Sequence, residues 1–280
     1  MGSCSSAEPN EGPELVATVG VWADIANELL CDGDASVAVL IPFGVDLHDY
    51  ELSLEQRAQL GRANMVLANG LGLETNLDDV LSDVADQGGT VLKVGSLLAP
   101  DRLLRSSDGV IDPHIWLDPQ RVTESLPGIA EALVDNGFTT APAVGRCRER
   151  VEERLSELDS TVAMSMEALP VERRSFISGH GVLDYFADRY QLEPLGSLSG
   201  SSETHTETDA AHLAELLDVV EQRGITTIFM SIGEPDDAVT ALQEDTNLGV
   251  VEVATSPRQG QSYFRMLDEL ARAVRTALDQ

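Results

Sequence analysis

The chain has 280 residues, with 48 acidic against 18 basic side chains and a formal net charge of −30 at neutral pH. No dense Lys/Arg run offers a surface to nucleic acid or anionic membranes, and no apolar run approaches the ~20 residues of a membrane span. Hydrophobic residues make up 42% of the chain, enough for the two domains suggested by a prior of ~150 residues each.

Residues 1–13, beginning MGSCSSAEPNEG, are polar and aperiodic and are expected to be a disordered tail. Small residues before Cys4 fit a lipid-attachment site, so the tail is expected to be the remnant of a bacterial lipoprotein signal. From residue 14 the pattern alternates. ELVATVGVW reads as a strand, ADIANELL as a helix and SVAVLIPF as a second strand, after which GVDLHDYELS is a loop. Ser53 with Gln56 forms a capping box for a helix to about Arg62. NMVLANG is a strand, Glu74 to Asp86 a helix and TVLKVG another strand, the signature of parallel βαβ units.

DPHIWLDPQ leads into a helix with Asp118 as N-cap and Pro119 at the first helical position. Residues 141–169 form one long, charged helical stretch, about 40 Å at 1.5 Å per residue, suited to joining two lobes. Past Pro170 the alternation resumes with strand RSFISG, helix HGVLDYFADRY and a Ser/Gly/Thr-rich loop. A helix from Asp209 to Arg223, strand TTIFMS, a helix from Glu234 to Asp245, strand GVVEVA and a final helix complete the chain. The expected fold is α/β, with an N-terminal lobe at 14–140, the linker helix at 141–169 and a C-terminal lobe at 170–280.

Of the five histidines, His48, His114 and His180 each fall at the carboxyl end of a strand or in the turn before a helix, where open α/β sheets bind ligands. Neutral imidazole is the commonest metal ligand among side chains, and three converging rings suit zinc. His205 lies in the polar loop and His212 inside a helix, and both are expected to be solvated. Cys31 and Cys147 match no CxxC pattern; in an exported protein they form a disulfide if their Cα atoms approach within about 7 Å, and otherwise are two buried thiols. The acidic surface serves either to concentrate cations or to keep the chain soluble.

PFGVDLHDYELSLEQ, ANMVLANGLGLE, DPHIWLDP, FISGHGVLDYFADRYQLE and QGQSYFRMLDELARAV, in that order, resemble the zinc/manganese solute-binding proteins of bacterial ABC importers. The resemblance implies two α/β lobes bridged by one long helix, with His48, His114 and His180 as metal ligands in the cleft. His180 stands where family members carry His or Glu, and imidazole there favours Zn²⁺ over Mn²⁺. The family's fourth ligand is an Asp, but Ser256 occupies that place in GVVEVATSPRQGQ. A water, a carboxylate from Glu234, Asp236, Asp237 or Glu252, or a shifted alignment of this loop would each account for the difference.

Glu51, Asp112 and Asp118 are candidate acceptors for the outer N–H of a ligating ring, and Trp116 is expected beside the site. The implied function is extracytoplasmic capture of zinc and its delivery to an ABC permease by a monomer anchored through a lipidated Cys4, with a metallochaperone as a further candidate partner. A manganese-specific binding protein or a metal-dependent adhesin of the same fold is the alternative. A hydrolase using water on three histidines ranks below these, because neither HExxH nor GxSxG is present.

Overall fold

A computed structural model of the protein describes residues 14–31, 33, 35–106, 109–198, 210–233, 239 and 248–280. The tail with Cys4, His205, and Glu234, Asp236 and Asp237 lie outside the described residues, as does the helix expected at 234–245 apart from Val239. The first sheet contains β1 (Leu15–Ala17), β2 (Val37–Val39), β3 (Met65–Ala68) and β4 (Thr90–Lys93), all parallel, in the order β2-β1-β3-β4. The second repeats that plan with β5 (Ser175–Ser178), β6 (Glu193–Ser197), β7 (Thr227–Ser231) and β8 (Gly249–Val253), ordered β6-β5-β7-β8.

The helices are α1 (Gly20–Leu29), α2 (Leu54–Leu60), α3 (Asp78–Asp86), α4 (Pro119–Asp135), α5 (Ala141–Glu167), α6 (Asp184–Tyr190), α7 (Ala210–Arg223) and α8 (Tyr263–Leu278). The expected caps are present: Ser53 and Gln56 make both capping-box bonds, and Asp118 accepts from the Gln120 amide at 2.8 Å with Pro119 opening α4. Three local expectations need correction. Gly20, Val21 and Trp22 begin α1 instead of extending the first strand, and Val21 and Trp22 are fully buried on its inner face. His180 to Leu183 form a turn ahead of α6, and EPLGS pairs with β5 as an edge strand that its Pro and Gly had hidden.

The 27 residues of α5 bury Val144, Cys147, Val151, Leu155, Asp159, Val162 and Met166, a stripe at helical spacing along its whole length. Helices α1, α4, α6 and α8 all pack on α5. α8, expected within the C-terminal lobe, also packs on α1, and the Tyr263 amide donates to Asp24 Oδ2 at 2.7 Å. Core residues of both lobes accordingly form one continuous buried cluster, with a smaller one around Ile177, Leu216 and Ile228 beneath the second sheet.

Cys31, just past α1, is bonded to Cys147 of α5, with Cα atoms 5.9 Å apart and a sequence separation of 116. Closing a loop of that length stabilises the fold by at most about 5 kcal/mol in the chain-entropy description. Titration of the denatured, unreduced chain is expected to find Cys4 as the one reactive thiol, and reduction to lower the melting temperature. Three reactive thiols before reduction would rule out the bridge.

Candidate metal centre

The equivalent ends of the two sheets face each other, and the loops leaving them meet. His48 comes from the loop after β2, His114 from the long connection between β4 and α4, and His180 from the turn after β5. One nitrogen from each ring lies within 4.8 Å of the others. Ring centroids are 5.1 to 5.7 Å apart, and Nε2 of His48 is 3.4 Å from Nε2 of His114. His114 is buried, and His48 and His180 are half-buried. They line a cavity of about 50 Å³ with Pro42 to Leu47, Trp116, Val182, Ser231 to Gly233, Thr255 and Ser256.

His114 and His48 have local support from residues near them in sequence. Asp112 Oδ1 lies 2.7 Å from His114 Nδ1 and accepts the His114 amide at 2.9 Å. A carboxylate holding the Nδ1 proton leaves the Nε2 lone pair directed at the other rings. Asp46 Oδ1 accepts the His48 amide at 2.8 Å, and Asn76 Nδ2 donates to the His48 carbonyl at 3.1 Å. The His48 loop closes on Gly233, whose φ of +98° and 2.6 Å distance from a hypothetical Cβ to the Gly44 carbonyl leave no room for a side chain.

Several supports escape a sequence reading because they connect distant elements. Buried Glu74 accepts the Asn69 and Gly70 amides at 2.6 and 2.8 Å and the Thr18 hydroxyl at 2.6 Å, and Asn69 Nδ2 then donates to the Pro113 carbonyl at 2.9 Å. Tyr185 of α6 accepts from the Leu104 amide and donates to the Asp112 carbonyl, fixing the DPH segment from the opposite lobe. Trp116, which the sequence does place beside the site, is fully buried, stacks edgewise on His114 at 5.3 Å and donates from Nε1 to the Thr255 carbonyl at 2.7 Å.

Other candidates fall elsewhere. Asp118 is held by its capping bond and by a buried ion pair with Arg121, which also reaches Asp188 of α6 at 3.1 Å. Glu51 is exposed. Glu252 is exposed as well, because it projects from β8 on the side opposite Val253, and it is not part of the cavity wall. His212 corrects the solvated expectation: it is half-buried on α7, with Nε2 2.8 Å from the Ser197 carbonyl.

Burial pushes Asp112 up to about 7 against the opposing pull of the His114 amide, and its Oδ2 is buried with no hydrogen-bond partner. Burial, then repulsion from Asp112, pushes Asp184 up to about 7 as well. A carboxyl whose folded pKa is raised costs the fold nothing below its unfolded value. The cost grows through the interval up to about 7 and is complete above it. In chelator, Asp184→Asn is therefore expected to stabilise the protein by about 2 kcal/mol at pH 8 and by almost nothing near pH 4. A denaturation midpoint shift that is the same at both pH values would contradict this origin.

The sequence profile of the family described as zinc-uptake complex component A, periplasmic (ZnuA), matches residues 15–277. The chain is similar to the zinc-binding protein TroA of Treponema pallidum (strain Nichols), 29% identical over 232 residues that cover 83% of this chain and 74% of that protein. It is similar to the manganese-binding lipoprotein MntA of Halalkalibacterium halodurans, 24% identical over 246 residues covering 88% of this chain and 79% of that one. The solved periplasmic zinc-binding protein TroA from Treponema pallidum superposes with a TM-score of 0.87 at 27% identity, covering 96% of this chain and 99% of that structure.

Proposed function

The chain belongs to the periplasmic zinc-uptake component A family, the metal-binding component of ABC-type uptake, and from that premise we propose that it captures Zn²⁺ between its lobes and delivers it to an ABC permease. The observation that carries the reading is the convergence of His48, His114 and His180 nitrogens within 4.8 Å, with His114 held in the Nε2-facing orientation by Asp112. Imidazole donors favour zinc, and Mn²⁺ lies lowest in the divalent series for a given site. Manganese is the second reading, supported by the similarity to MntA. Among the described residues no helix is long and apolar enough to cross a membrane. The proposed tether is a lipid on Cys4, with the monomer working on the outer face of the cell membrane.

The ion is cargo here, and the residues around the rings act by positioning. Asp112, the Tyr185 and Asn69 hydrogen bonds to the DPH backbone, and the Asp46 cap on the His48 loop hold the rings while the cation enters or leaves.

Competition against a chelator of known affinity is expected to give one Zn²⁺ per chain, with Mn²⁺ weaker. Asp112→Asn should weaken zinc by about 10- to 100-fold by releasing the His114 ring, and His114→Ala should weaken it further. Ser256→Ala should stay within about threefold, below the tenfold that corresponds to ~1.4 kcal/mol. Mn²⁺ equal to or tighter than Zn²⁺ would overturn the zinc assignment.

Each ligating ring must be deprotonated, so zinc affinity should fall steeply as pH drops through the reference histidine value near 6.5. Calorimetry in buffers of different ionisation enthalpy should show more protons released per zinc at pH 6 than at pH 8. Equal release at the two values would mean that these rings do not bind the ion.

A further inference from the structure

The cavity holds more hydroxyls than a three-imidazole site requires. Ser231 ends β7, Thr255 and Ser256 follow β8, and all three line the cavity with the histidines. Thr255 Oγ1 donates to Ser231 Oγ at 3.3 Å. Ser256 Oγ lies 3.7 Å from the place a Cβ on Gly20 would take, beside the first turn of α1, where Val19 supplies no side-chain cap. That end of a helix carries partial positive charge.

Three neutral imidazoles leave Zn²⁺ with its whole double charge and one coordination position to fill, because protein-bound zinc is almost always four-coordinate. The described carboxylates nearby do not join the converging ligand atoms: Asp184, within electrostatic reach of His180, lies outside that group. Asp112 holds His114, and Asp46 caps the His48 amide and does not join the cluster of converging nitrogens. At about 50 Å³ the cavity exceeds a bare ion; one water needs roughly 10–15 Å³ by the same measure.

Resting on the metal-binding reading above, we propose that an exchangeable small inorganic anion from solution completes the metal's coordination, hydrogen-bonded by the Ser231 and Ser256 hydroxyls with Thr255 supporting Ser231 from behind, so that the cargo is carried as a metal–anion pair. The anion halves the net charge placed in the cavity. Rotatable hydroxyls donate to it from whichever side it presents. A carboxylate at position 256 would supply the same charge permanently, so the serine ties the site to anions in the medium.

Cobalt(II), whose visible bands report tetrahedral coordination, serves as the metal and azide as the anion probe. Azide is expected to shift the Co²⁺ bands and add a charge-transfer band in a saturable titration. Ser256→Ala should weaken azide by about fivefold, the value of roughly one hydrogen bond. Ser256→Asp should still take up Co²⁺ and no longer respond. Bound Co²⁺ with bands unchanged up to about 100 mM azide, a hundred times the concentration matching a ~4.1 kcal/mol interaction, overturns the anion proposal and leaves the three-histidine site standing. A chain that takes up no Co²⁺ overturns both.

Discussion

Three imidazoles can face one point only if something other than their mutual attraction holds them there. In this fold the restraint comes from outside the rings: a carboxylate behind His114, a backbone cap beneath His48 and a strand-to-helix turn carrying His180. Each restraint is anchored in a parallel sheet whose strand order reverses beside its first strand, β1 in one lobe and β5 in the other. Loops leaving adjacent strands diverge at such a reversal and open a crevice. Two crevices face to face make the cavity.

Keeping them face to face takes cross-lobe bonding beyond the linker helix. Tyr263 of α8 donates to the Trp116 carbonyl at 2.8 Å, and Trp116 donates onward to Thr255 after β8. Arg189 of α6 pairs with Asp159 in the buried stripe of α5, and Tyr190 donates to the same carboxylate at 3.1 Å. Buried polar groups of this kind are expensive unless fully partnered. Here the partners come from the opposite lobe, as for Trp116 and Thr255, or from the linker helix, as for Arg189, Tyr190 and Asp159, so the bonds that satisfy them also fix the relative placement of the sheets.

The sequence announces elements whose signals are local. The Ser53–Gln56 capping box, the Asp118–Pro119 helix start and the apolar stripe of α5 are readable because cap chemistry and helical periodicity act within a few residues. Histidines at strand ends are readable for the same reason, since a strand followed by a helix fixes where its loop must lie. What stayed hidden depends on residues far apart in sequence. Glu74 reads as a helix start, yet it stands as a buried acceptor 56 positions from Thr18. Tyr185 reads as ordinary helix, yet it reaches Asp112 from 73 positions away. Trp22 reads as strand because β-branched Val19 and Val21 precede it, yet it lies in the first turn of α1 and donates from Nε1 to Asn69 Oδ1 at 3.0 Å, 47 positions away.

The buried acids give the site its energetic character. Asp112, Asp184, Glu74 and Asp118 are all shifted upward chiefly by burial, so in the metal-free fold ionising them is unfavourable. In the proposed complex, a dication on the imidazoles would act on Asp112 and Asp184 in the opposite sense, because attraction between unlike charges at short range in a cavity of low polarity offsets desolvation. Ion binding and ionisation are then linked, each favouring the other by the same free energy. With the ion held as proposed, the carboxylate that orients His114 would be more fully charged and would hold the ring more firmly. Acid would work against both steps, protonating the rings that hold the ion and the carboxyl that orients His114.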